Sequence, residues 1–398
     1  MKDVVIIDGV RTAIGRMGGT LKDVEPDYLA SHVMKELLSR TQLDSSKVDE
    51  VILGHVKQST DQPNIARKAA LRAEMPIEIP GYTVHRQCGS GLQSINNAAQ
   101  QIACNLDDTI IAGGTESMST APYYIRGARF GLTAGNGVIV DPNTESQPKA
   151  QPEEVYGSDL TMGVTAENLA EMHNISRSEQ DEFALRSQEL AKDAINKGKF
   201  KDEITPYEVK SRKETITFDT DEHPRETNIE KLSKLPAVFK KGGTVTPGNS
   251  SGRNDAASAT LVMSAEKAEE MDLTPKMKVV AQASAGVGPE IMGIGPVPST
   301  RKALKQAGLK LEDIDLIELN EAFAAQSLAV VKELGIDQDR LNVNGGAIAL
   351  GHPLGATCNI LTIKLMSEME RRGSKYGAVT ACIGGGLGIT TIFENLQV

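Results

Sequence analysis

Missing from this sequence is any apolar run close to the ~18 residues that would suggest a membrane span. Positive charge is scarce relative to negative: the formal net charge is -10, and no basic stripe with interleaved aromatics is visible. That balance argues against nucleic acid as a partner, although an acidic chain can still bind an anionic ligand through a local cluster. Cysteine is also sparse, with four residues and no framework spacing, which fits a reducing cytosol better than a disulfide scaffold. The opening MKDVVIIDGVRT runs almost directly into a β-branched strand, without a charged n-region, a long apolar h-region or an Arg/Ser-rich presequence. No histidine spacing supports a metal site. These absences together predict a soluble cytoplasmic protein with no membrane, nucleic-acid or metal partner. The 39% hydrophobic content is ample for large cores, and 398 residues predict two or three domains.

What the chain does have is an internal echo. Leu37 to Gly54 (LLSRTQLDSSKVDEVILG) and Leu304 to Asn320 (LKQAGLKLEDIDLIELN) share a helix end, a turn, an acidic segment and a buried strand, about 266 residues apart counted from Asp49 to Asp315. YTVHRQCGSGLQSINNAAQQI likewise faces LNVNGGAIALGHPLGATCNILTIKL, and matching Gly91 with Gly355 sets Cys88 opposite His352. A third match puts TIIAGGTES beside TACIGGGLG. Strands and helices alternate within each half, so two similar α/β halves are expected. The N-terminal half is assigned to 1–118, continued by 249–272, and the C-terminal half to 273–398. Between them, 119–248 is rich in Gly, Pro and Asn, then carries a charged helical run from Ser176 to Lys199 with Ser178 as its cap and Gly198 near its end. It is read as an inserted loop domain covering a site. The return to the first half, NDAASATLVMS, is expected as a small-residue helix leading into an apolar strand.

Two cysteines and a histidine in glycine-rich settings suggest carbon–carbon bond chemistry on thioesters. One thiol would carry an acyl group while a second acts as acid and base beside a carbonyl. Cys88 precedes a helix (CGSGLQSINNAAQQ), where the helix dipole is expected to lower its pKa toward neutrality; the plainer reading is a small buried hydrophobe. Gly89 and Gly91 favour the first, since glycines let a substrate approach the backbone. His352 stands among small residues before Pro353, which fits a first helical turn, and a neutral imidazole can take a thiol proton. His173 and His223 are expected to be solvent-exposed, and His32 and His55 to belong to the scaffold. Cys382 precedes Gly384, Gly385 and Gly386, whose N–H groups suit an oxyanion hole. Asn320, in ELNEAFAAQ, either orients a water or carbonyl or is an ordinary helix N-cap.

The motifs RQCGSGLQ, AGGTESMS, MGVTAEN, GTVTPGNSSGRNDAASA, IMGIGP, NEAFAAQ, GGAIALGHPLGAT and CIGGGLG, in this order over essentially the whole chain, resemble those of thiolases, the acetyl-CoA C-acetyltransferase and 3-ketoacyl-CoA thiolase family. The resemblance implies a thiolase fold, two α/β halves in five αβαβα layers with an inserted loop domain, assembled as a homodimer or homotetramer. It implies acyl-CoA as small-molecule partner, acetyl-CoA and CoA as substrates, and no permanently bound cofactor. Carried over motif by motif, Cys88 is the acylated nucleophile, His352 its base and Cys382 the group that moves the α-proton. One oxyanion hole would join His352 and a water on Asn320, the other the N–H groups of Cys88 and Gly384. CoA contacts fall on Arg225 and Ser251, and the apolar wall on Met162, Phe239, Met292 and Phe323.

This chain departs from the family at Thr161, where His is common before Met162, at Cys358 after the His352 turn, and at Ala256, often Gly. The implied reaction is reversible condensation of two acetyl-CoA to acetoacetyl-CoA. A broad chain-length 3-ketoacyl-CoA thiolase of fatty-acid β-oxidation is the alternative. HMG-CoA-synthase-like enzymes of the same fold lack the second cysteine, and a silent CoA-binding scaffold would not need the triad.

Overall fold

A computed structural model describes residues 2–210 and 214–398. The first part of the chain forms β1 (Val4–Arg11), the short β2 (Gly15–Arg16), β3 (Glu50–Gly54), β4 (Gly81–Val84) and β5 (Thr109–Ser117). Two small ribbons follow, β6 (Tyr124–Ile125) with β7 (Ile139–Val140), and β8 (Tyr207–Lys210) with β9 (Thr215–Phe218). The chain rejoins the main sheet as β10 (Asn254–Ser264) and continues with β11 (Met277–Gly286), β12 (Leu316–Leu319), β13 (Tyr376–Ile383) and β14 (Leu387–Asn395). The small residues of NDAASATLVMS therefore form strand, not helix. They lie in a strand buried throughout, where Ala and Ser let neighbouring backbones pack closely, and the helix comes only afterwards, at Ala265–Glu270.

The strand order β12-β13-β14-β11-β1-β10-β5-β3-β4 carries the internal echo in its pairing. In the first half β3 runs parallel to β5, which is antiparallel to β10, itself antiparallel to β1. In the second, β12 runs parallel to β13, which is antiparallel to β14, itself antiparallel to β11. The halves join where Val5 and Ile6 pair with Lys278 and Met277. The aspartates matched in sequence do the same work: Asp49 accepts from Asp108 and Thr109 N–H at 2.8 Å each, and Asp315 from Lys375 and Tyr376 N–H at 2.7 and 3.1 Å. Each ties the start of one strand to its parallel neighbour.

Helices Ser90–Ala103 and Thr357–Arg372 pack on one another, and each also touches strands of both halves. Helix Pro26–Thr41 covers β10 on one outer face, and Pro296–Ala307 covers β11 and β14 on the other. Helix, sheet, helix pair, sheet and helix make five layers.

The long excursion between β5 and β10 is held down by charge. Arg11 of β1 is fully buried, and its guanidinium donates to both Asp221 carboxylate oxygens, at 2.8 and 3.0 Å, and to Glu203 at 3.2 Å. Within the excursion, helix Arg177–Asn196 is capped by Ser176 rather than Ser178: Ser176 Oγ accepts from Glu179 N–H while Glu179 accepts from Ser176 N–H. A capping box satisfies two orphan donors where Ser178, already inside the helix, satisfies none; it bonds Glu182 instead.

Candidate active site

Cys88 lies two residues ahead of helix Ser90–Ala103, in a tight turn whose preceding residue, Gln87, takes a left-handed φ of 44°. Ser90 braces that turn, its Oγ donating to Gln87 O at 2.6 Å and accepting from Arg86 N–H at 2.9 Å. The expected lowering of the thiol pKa is reversed. Burial pushes Cys88 up to about 11, against the opposing pull of the Gly384 and Cys88 N–H groups and the Lys57 charge, because losing solvent outweighs a helix terminus. Gly89 and Gly91 also serve packing rather than substrate approach: a methyl on Gly89 would lie 2.6 Å from Ile383 Cδ1, and one on Gly91 2.8 Å from Asn359 N.

Glycines bring His352 to the same place. A methyl on Gly114 would lie 1.9 Å from Gly355 O, one on Gly54 2.7 Å from the same atom, and one on Gly355 2.6 Å from Thr115 O. The His352 turn is thus pressed directly on β3 and β5. Glu116 completes the joint by accepting from Gly355 N–H at 3.0 Å, Val56 N–H at 3.1 Å and Lys57 N–H at 3.0 Å, with the His55 ring 3.2 Å away. Burial penalises both charges, yet each stabilises the other enough to raise His55 and lower Glu116. Pro353 opens a turn ahead of helix Thr357–Arg372 rather than the helix itself; its carbonyl accepts from Ala356 and Thr357 N–H.

His352 is buried, and its neighbours assign its tautomer. Thr357 Oγ1 lies 2.9 Å from Pro353 O and 2.6 Å from His352 Nδ1; with its proton turned to the carbonyl it accepts from the ring. The ring proton therefore sits on Nδ1, leaving Nε2 bare, 3.4 Å from the Asn320 amide nitrogen. Burial pulls His352 down to about 4, so the ring is neutral at ordinary pH. Asn320 is no N-cap: the helix after β12 begins at Ala324 with Phe323 in the cap position, and the buried Asn320 Oδ1 has no partner among the described residues. Thr357, Glu116 and Lys57 escaped the sequence reading, although a hydroxyl one turn beyond a histidine was a usable signal.

Cys382 is the penultimate residue of β13 and fully buried, its thiol raised far above the ordinary range by burial and by its two thiol neighbours, Cys88 and Cys358. Cys358 is buried and donates to Cys88 O at 3.1 Å, packing behind the turn as a structural residue would. One cavity of about 220 Å³ is lined by Cys88, His352, Cys382, Gly384, Ser251, Met162, Phe239, Met292 and Phe323. Phe239 and Phe323 meet edge to face with centroids 6.0 Å apart. Glu167 holds the segment before Ser251 by accepting from Thr244 N–H at 2.9 Å and Val245 N–H at 2.8 Å.

Two expected residues stand outside the lining. Asn320 reaches the cavity only through His352, and Arg225 is exposed, its side chain 3.4 Å from Pro247 O. His223 is buried, against expectation, wedged beside Gly252 with neither ring nitrogen partnered among the described residues, and burial drops it to about 4. His173 is largely covered as well, its ring 3.7 Å from Glu333. Among the described residues no group of three or more His, Cys, Asp or Glu could hold a metal ion, and no helix is long and apolar enough to cross a membrane.

Comparison with known proteins decides the family. The description "Thiolase, N-terminal domain" matches residues 4–266 and "Thiolase, C-terminal domain" matches 273–395. The chain belongs to the thiolase family. It is 50% identical to an acetyl-CoA acetyltransferase of Pseudomonas aeruginosa over 98% of each chain. Its fold is the thiolase fold. It superimposes on the Bacillus anthracis acetyl-CoA acetyltransferase with a TM-score of 0.96 at 46% identity, covering 100% and 99% of the two chains. Human mitochondrial 3-ketoacyl-CoA thiolase in complex with CoA matches with a TM-score of 0.93 at 45% identity, covering 99% and 98%.

Proposed function

We propose that this thiolase catalyses the reversible condensation of two acetyl-CoA to acetoacetyl-CoA and CoA through an acetyl group on Cys88. The observation that carries the reading is the meeting of Cys88, Cys382 and the bare Nε2 of a neutral His352 in one cavity. His352 takes and holds the Cys88 thiol proton, the sulfur attacks acetyl-CoA, and CoA leaves with the Cys382 proton. A second acetyl-CoA then gives an α-proton to the Cys382 thiolate, its enolate attacks the acetyl group, and Cys88 leaves with the proton that His352 holds. Thioester oxygens gain charge at each barrier, and the N–H groups of Cys88 and Gly384, with His352 and an Asn320-held water, are the donors assigned to them.

Ser251, Met162, Phe239, Met292 and Phe323 are assigned to CoA and the acyl end, and Arg225 to CoA from the exposed side. Acetyl-CoA and CoA act as substrates, and no resident cofactor or metal is invoked. The same reading includes a cytoplasmic location and assembly as a dimer or tetramer, and exposed Phe130, Val138 and Ile139 around the β6–β7 ribbon support the assembly.

Peptide mass analysis after incubation with acetyl-CoA tests the reading: one acetyl group is expected on the Cys88 peptide, absent in Cys88→Ala, with Cys382→Ser still loading but condensing slowly. Acetylation persisting in Cys88→Ala refutes it. The bulky Met162, Met292 and Phe323 support a short-chain preference, so acetoacetyl-CoA should exceed the C8 ketoacyl thioester at least tenfold in kcat/KM. Equal values would bring forward the broad chain-length thiolase.

A further inference from the structure

The cavity has two kinds of lining. Met162, Phe239, Met292 and Phe323 belong to, or pack against, one apolar cluster. Lys57, Gln87, Asn143, Ser146, Gln147 and Arg253 are polar, and two of them are cations. Cys88 stands where the sets meet, since its sulfur accepts from Gly384 N–H beside Met162 and also feels the Lys57 charge.

Lys57 is the unusual member. It is nine-tenths buried, yet its ammonium reaches only two neutral acceptors, Pro142 O at 3.0 Å and Ser146 Oγ at 2.6 Å, leaving one of three N–H donors. No carboxylate lies within 4.0 Å of Nζ among the described residues. The ionisable groups facing it are Glu116, which bonds Lys57's backbone N–H rather than its ammonium, then Cys88, Arg253 and Asp141, and burial lowers Lys57 from its ordinary value. Asp141 stands 3.8 Å from Arg253 and Thr144 Oγ1 3.2 Å from it, so Arg253 has its own partners. A buried cation without a contacted counter-charge is costly, and a ligand anion in the cavity would relieve that cost.

We infer that this cavity takes the CoA thioester of a 3-oxo diacid, with the distal carboxylate of the acyl group on Lys57 and Arg253 nearby. The inference rests on the thiolase reading of Cys88. In thiolysis the Cys88 sulfur bonds to C3 as its proton passes to His352. The C2–C3 bond breaks, and C2 takes the Cys382 proton to leave as acetyl-CoA. Free CoA then gives its thiol proton to the Cys382 thiolate and its sulfur bonds to C3, while Cys88 leaves and recovers the proton from His352. The acyl group carried between these steps is the part bearing the carboxylate, and the polar lining disfavours a long alkyl tail in the same space.

The test compares kcat/KM for thiolysis of six- and eight-carbon 3-oxo diacid CoA thioesters with their neutral 3-oxoacyl counterparts of equal length, and with acetoacetyl-CoA. A charge-assisted contact predicts that at least one diacid is favoured over its neutral counterpart by about 10- to 100-fold. Lys57→Met should bring that ratio to one or below, while Lys57→Arg keeps it above one. Neutral thioesters cleaved as well as both diacids by the native protein overturn the inference without any variant. A uniform loss on all thioesters in Lys57→Met also overturns it, because the lysine then serves CoA phosphates or the 142–146 segment. If acetoacetyl-CoA itself is not cleaved, the proposed function fails and the inference with it; if it is cleaved without diacid preference, only the inference fails.

Discussion

Replacing Thr357 with Val removes a single oxygen from the site and tests whether the His352 tautomer matters. Thr357 is buried, and with its hydroxyl proton turned to Pro353 O its role toward the ring is to accept Nδ1–H at 2.6 Å. Valine keeps the volume but leaves that N–H without an acceptor, at a cost of about 1–3 kcal/mol. The ring can escape by moving its proton to Nε2, which then has no lone pair for the Cys88 proton. At about 1.36 kcal/mol per tenfold, the loss corresponds to roughly 5- to 150-fold in the rate of acetyl loading. Rapid-quench mixing with acetyl-CoA, followed by mass analysis of the Cys88 peptide, measures that rate directly. Thr357→Ser restores the acceptor and should load within a few-fold of the native protein. A valine variant within twofold of native, or serine and valine variants equally slow, would refute the reasoning.

Two further outcomes follow from the same geometry. Because a methyl on Gly114 would stand 1.9 Å from Gly355 O, backbone against backbone, Gly114→Ala should destabilise the fold by about 3 kcal/mol and abolish loading; an unchanged Tm contradicts it. Because burial lowers His352 to about 4, the ring stays neutral and able to accept a proton as pH falls from 7.5 to 5.5, and loses that ability only as pH drops through about 4. Acetyl loading should therefore show no acid limb between 7.5 and 5.5, and a limb near 6.5 would show that the ring is not so deeply desolvated when it works.

Much of the fold was legible because both halves repeat the same local grammar. The match of Asp49 with Asp315 set the register of the halves, and at both positions the structure has one carboxylate accepting from two backbone N–H groups. The candidate residues Cys88, His352 and Cys382 were legible because glycine-rich turns around reactive side chains are uncommon in plain core. Three things were not. Helix and strand are confused in NDAASATLVMS because small residues suit either, and only the surrounding strands decide. The ionisation of Cys88 depends on how much protein encloses it, which no local pattern reports, so the helix dipole was given a weight that burial cancels. His223 sits in a charged stretch of sequence that folds inward against Gly252, a long-range event.

The glycines of the two halves explain why the thiol and the imidazole need not be charged at rest. Gly54, Gly114 and Gly355 let the His352 turn press directly on the strands beside Cys88. Burial raises the thiol and depresses the imidazole, so proton transfer between them is uphill by itself. On the proposed chemistry the transfer becomes favourable only as the sulfur bonds to a thioester and the charge moves to oxygen, toward the Cys88 and Gly384 N–H groups. A site arranged this way spends no binding energy on a resting thiolate and holds its nucleophile protonated until a thioester arrives. The same enclosure makes the Lys57 ammonium conspicuous: burial lowers Lys57 from its ordinary value, and an anion that the chain itself does not place in contact with it would hold the charge there.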